Sequence, residues 1–125
     1  MPYLSVEMVY DGLREVLRET IYTAKLDISE SMLDSIAPLL YENENIEFVF
    51  MSPSILFKDI RFDFVFNNGC LTIEHREYYS SLHRSRNELE ETLRELALLI
   101  CELVDAESTR NEFLTKLKGK RDNGN

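Results

Sequence analysis

The sequence predicts an α+β domain with two N-terminal helices, a three-stranded antiparallel meander and a long C-terminal helix packed on the sheet. Three observations predict it. Leu89, Leu93, Leu96, Ile100 and Leu103 recur at spacings of four, three, four and three, the stripe of an amphipathic helix. Ile60, Phe62, Phe64 and Phe66 alternate with Arg61, Asp63 and Val65, as a strand with one buried face requires. Val6, Val9, Leu13, Val16, Leu17, Ile21 and Ala24 keep a helical period, with charged residues off that stripe.

The first predicted helix runs from an N-cap at Ser5 to about Leu26, and Gly12 inside it marks a possible break beside Asp11. Asp27 with Glu30 three residues on has the form of a capping box. It opens a second helix through Ile28, Met32, Leu33 and Ile36. Pro38 removes an amide donor and is expected to end that helix near Ser35 or Ile36, with a short turn of helix beginning near Pro38. Ile46 to Met51 then reads as a strand closed by Ser52-Pro53-Ser54.

Asn67-Asn68-Gly69 signals a tight hairpin between the alternating strand and a third one through Leu71, Ile73 and His75. With Asn68 and Gly69 central in the turn, Phe66 faces Leu71, Phe64 faces Ile73 and Phe62 faces His75. A one-residue slip would put Thr72 and Glu74 against the phenylalanines, so the pattern selects the register. Asp63 then lies opposite Glu74 and Arg61 opposite Arg76, with the diagonals Arg61–Glu74 and Asp63–Arg76 offsetting the like charges. Ser85 with Glu88 caps the long helix. That helix is so apolar between Leu96 and Cys101 that it needs cover from several directions. Beyond Asp105 its stripe breaks at Glu107 and Arg110 and resumes at Phe113, Leu114 and Leu117, which predicts a kink or a separate short helix.

At 125 residues one core is expected, burying roughly two-thirds of the unfolded surface. The domain is set at residues 1–118, with residues 119–125 a disordered tail. The longest apolar run is six residues, Leu96 to Cys101, against the roughly 20 a membrane span needs. The first residues lack the basic and apolar regions of a secretory signal, and a cytoplasmic protein is expected. Cys70 and Cys101 fall in a strand and in the most apolar helix, as free buried thiols do. No zinc spacing, glycine-rich phosphate loop or nucleophile elbow occurs. No enzyme, cofactor or metal is therefore expected.

Net charge is −9. Residues 1–57 carry ten acids and three bases, residues 58–86 four and five, and residues 87–125 nine and six. This balance disfavours direct binding to nucleic acid and favours a protein partner with a basic surface. The leading expectation is a small acidic module that binds and inhibits or regulates another protein, in the manner of immunity proteins or phage-encoded inhibitors of nucleic-acid enzymes. Its candidate contacts are Glu7, Asp11, Glu15, Glu19, Asp27, Glu30 and Asp34, which solvated helix faces explain equally well. A dimeric assembly factor or secretion-type chaperone is the alternative, and the broad apolar face of the C-terminal helix favours a homodimer. A second alternative is a nucleic-acid or anion site at the basic patch Arg76, His83, Arg84 and Arg86. His75 is placed on the core face as a structural histidine, with Glu77 on the same face but two residues further along.

Overall fold

The structure, a computed structural model, describes residues 4–11, 19–78 and 85–123, with side chains described over residues 21–77 and 85–118. It is an antiparallel sheet with two helices on one face: β1 (Leu4–Asp11), β2 (Glu19–Leu26), α1 (Glu30–Glu42), β3 (Ile46–Phe48), β4 (Ser54–Phe57), β5 (Ile60–Asn67), β6 (Cys70–Tyr78) and α2 (Arg86–Asn123). The strand order is β1-β2-β6-β5-β4-β3. The α+β class and the long C-terminal helix are as the sequence predicts; the two N-terminal helices and the three-stranded meander are not.

In the stretch expected to be the first helix the described residues form two antiparallel strands, with Val6 opposite Ala24 and Met8 opposite Tyr22. Its apolar residues fit both periods. Tyr22, Ala24 and Leu26 alternate with Thr23 and Lys25, and that alternation prevails because β2 finds β6 alongside it, Ala24 opposite Ile73 and Leu26 opposite Leu71. An isolated helix has no comparable partner for both faces. β1 ends at Asp11, and the possible break at Gly12 lies outside the described residues.

Among the described residues α1 is the single helix before β3. Ser29, rather than Asp27, caps it, its hydroxyl accepting from the Met32 amide at 3.3 Å. The helix runs through Pro38. That residue is exposed, so the carbonyl of Asp34 that loses its amide partner faces water instead of the core.

β4 was hidden in the sequence. Its hairpin to β5 turns on Lys58 and Asp59, both left-handed with φ of 52° and 66°, and Phe57 lies opposite Ile60. A two-residue turn of this kind is usually marked by Asn-Gly or Asp-Gly. The β5–β6 turn carries that mark, with Asn68 and Gly69 at φ of 52° and 78°, and its register has Phe66 opposite Leu71, Phe64 opposite Ile73 and Asp63 opposite Glu74 as predicted. The ladder stops there, before Phe62 and His75. The diagonal ion pairs do not form either: Arg61 pairs with Asp63 on its own strand at 3.4 Å, and Arg76 with Glu74 at 3.8 Å.

The core fills the space between the helices and one sheet face. Phe62, Ile55, Leu71, Ile73 and Leu26 from the sheet meet Ile36 and Leu40 of α1 and Leu89, Leu93, Leu96 and Ile100 of α2, each almost fully buried. Leu103 is only half-buried. α2 is one unbroken helix through the expected kink at residues 105–110 and on to Asn123, so helical backbone extends into the segment expected to be tail. The other sheet face carries Lys25, Arg61, Asp63, Glu74 and Arg76, and Val65 at its surface. No helix among the described residues is long and apolar enough to cross a membrane.

Candidate functional site

Where β5 and β6 part, His75 takes over the bonding that the ladder gives up. Its Nδ1 lies 2.7 Å from the backbone carbonyl of Arg61. A carbonyl can only accept, so Nδ1 carries a hydrogen and donates it. On the other side Nε2 lies 2.6 Å from the carboxylate of Glu77, and both side chains are more than nine-tenths buried. The rings of Phe62 and Tyr22 stand 5.7 and 6.0 Å away, and Tyr22 lies opposite His75 in the β2–β6 register.

Glu77, expected on the same face but two residues further along, does reach His75. Residues two apart on a strand share a face, and because the β5 ladder has ended, the two side chains can lean together over the gap. The corner is electrostatically tight. Burial pushes the Tyr22 hydroxyl above its ordinary 10.0, with Glu90 and then Glu77 adding to the rise. Both ring nitrogens of His75 are engaged within the fold, one by the Arg61 carbonyl and one by Glu77. The cluster holds the sheet together at the point where β5 and β6 separate.

The thiols are free, Cys101 buried and Cys70 half-buried. Burial, then Asp105 and Glu102, raises Cys101 above its ordinary 9.0, which keeps it as the unreactive thiol. No group of three or more His, Cys, Asp or Glu side chains is placed to hold a metal among the described residues.

The candidate acidic contacts do not form one helix face. Glu7 and Asp11 lie on β1 and Glu19 on β2, while Glu15 lies outside the described residues. Asp27, Glu30 and Asp34 are exposed at the start of α1. In the basic patch, His83 and Arg84 also lie outside the described residues; Arg76 is on the sheet face away from the helices beside Glu74, and Arg86 opens α2.

A concave surface does exist, between the start of α1 and the middle of α2. It is a groove of about 650 Å³ whose lining combines the apolar side chains of Met32 and Val104 with the acids Asp27, Asp105, Glu107 and Glu112. Ser35, Ser108, Asn111 and Thr115 also line it, and among the described residues Lys116 is the one base in its lining. It forms because the stripe that is apolar at Leu93, Ala97, Ile100 and Val104 continues on the same helix face as Ser108, Asn111 and Thr115. That polar continuation was the available signal, and only Asp27 of its acids was among the sequence candidates. Compared with family models, with curated proteins and with solved structures, the chain matches none.

Proposed function

We propose that this chain is a protein-binding module whose groove between α1 and α2 takes a basic segment of a partner protein and blocks it from other contacts. The observation that supports this reading is the groove's make-up among the described residues, the apolar Met32 and Val104 beside four carboxylates and one lysine. Such a site suits a short segment that buries an apolar side chain and sets Lys or Arg against the rim. The inhibitor reading of the acidic charge thus moves from an N-terminal helix to residues of α1 and α2. A catalytic reading loses its best candidate, since both nitrogens of His75 are occupied.

The test compares proteins captured by the wild-type chain with those captured by Asp105→Lys/Glu107→Lys/Glu112→Lys, at about 0.1 M and about 1 M salt. These side chains lie on the helix surface, so circular dichroism should be unchanged. Groove partners are those lost both in the variant and at high salt. A captured set that survives both changes overturns the proposal.

A further inference from the structure

The apolar surface that α1 and the sheet leave uncovered lies on another side of α2. Leu99, Leu103, Ala106, Arg110, Phe113 and Leu117 follow at spacings of four, three, four, three and four, the seven-residue repeat of a coiled-coil seam. At about 100° per residue this seam lies roughly a quarter-turn from the buried stripe and nearly opposite the groove. Leu99 and Leu103 pack partly against the core, whereas Phe113, Leu114 and Leu117 are 63%, 48% and 43% exposed.

We propose that this seam is the interface of a homodimer in which α2 of a second copy packs antiparallel against it. The seam is complementary to itself in that direction. Setting Leu99 against Leu117 of the second copy brings Leu103 against Phe113 and Ala106 against Arg110, and the two-fold axis repeats each contact. Alanine leaves room for the arginine stem, whose guanidinium then reaches Glu107 of the second copy. Flanking the seam, Glu102 faces Lys116 of the second copy. The charges along the helix run from acids at Glu102, Asp105 and Glu107 to bases at Lys116 and Lys118, so antiparallel pairing joins opposite signs. Parallel pairing in register would set Glu102 against Glu107. The apolar residues of the seam lie away from the groove, while Glu107 and Lys116 at its flanks also line the groove, so the Phe113→Lys/Leu117→Lys variant, which changes no groove residue, is the one that separates the two readings.

Sedimentation equilibrium of the full chain tests it, with a dimer expected at twice 14.7 kDa. Phe113→Lys/Leu117→Lys changes only exposed residues; it should give a monomer with the circular dichroism of the wild type. Glu102→Lys alone and Lys116→Glu alone each set like charges together twice, and should weaken the dimer about tenfold. An equal mixture of these two variants regains opposite charges at both places, so it should form a heterodimer of wild-type strength. A chain that stays monomeric up to about 1 mM, a dimer indifferent to Phe113→Lys/Leu117→Lys, or a mixture as weak as its components would each overturn the proposal.

Discussion

His75 and Glu77 are a buried pair whose worth lies in being complete. Removing one partner leaves the other buried without a counterpart, which costs about 3 to 5 kcal/mol, whereas replacing both by apolar residues can be close to neutral. His75→Leu should therefore destabilise by about that amount, and His75→Leu/Glu77→Leu by clearly less, as read from urea unfolding of the three proteins. Equal losses in the single and double variants would mean that the pair is not coupled. Tyr22 beside them has a proton affinity raised by folding, and so has Cys101. Each contributes stability that is complete below its ordinary value, 10.0 for Tyr22 and 9.0 for Cys101, and is lost as pH rises through the higher folded value. Melting temperature should therefore fall on the alkaline side, less steeply in Tyr22→Phe. Sequence placed His75 on the core face correctly. It could not show that the β5–β6 ladder ends one pair short of His75, and that ending lets Glu77 reach it.

At the scale of elements, two backbone features should answer to substitution. Pro38 sits inside α1 on its exposed side; Pro38→Ala restores an amide donor and should raise stability by about 1 to 3 kcal/mol, measured by denaturant midpoint. Met51 holds φ at 55° at the β3–β4 turn with its side chain 91% exposed. Met51→Val, with a branched Cβ in the left-handed region, should cost about 1 kcal/mol, while Met51→Gly should be neutral or better. The elements that the sequence revealed are those with unambiguous marks: the alternation of β5, the Asn68-Gly69 turn, the stripe of α2 and the cap at Ser85, whose hydroxyl accepts from the Glu88 amide at 3.1 Å. Those it concealed lack such marks. β4 is four residues long and turns on Lys58-Asp59, and in β1 and β2 the apolar residues Val6, Val9, Ile21 and Ala24 fit a helical period as well as the strands they form.

For the whole molecule, the domain core ends at Val104 while α2 continues to Asn123. All side chains from Ser108 to Lys118 are exposed, so this half of the helix adds little burial to a single copy. Deleting residues 109–125 should leave a chain that still unfolds cooperatively. Its melting temperature should not depend on concentration, whereas that of the full chain should rise with it, as expected when association stabilises the folded state. The candidate site was legible only in outline: net charge pointed to an acidic contact, but the acids that share one groove come from β2's end and from α2, which are far apart in sequence and meet only through the fold.

The strand order has a consequence for how the chain is made. β1 and β2 leave the ribosome first, yet the neighbour that gives β2 its second set of hydrogen bonds is β6, nearly fifty residues later. Until then the early hairpin has an open edge and Tyr22, Ala24 and Leu26 without cover. The hairpins β4–β5 and β5–β6 close over two-residue turns and can form at once, so the later half of the chain is the template on which the earlier half settles. During synthesis the first strands wait for the last.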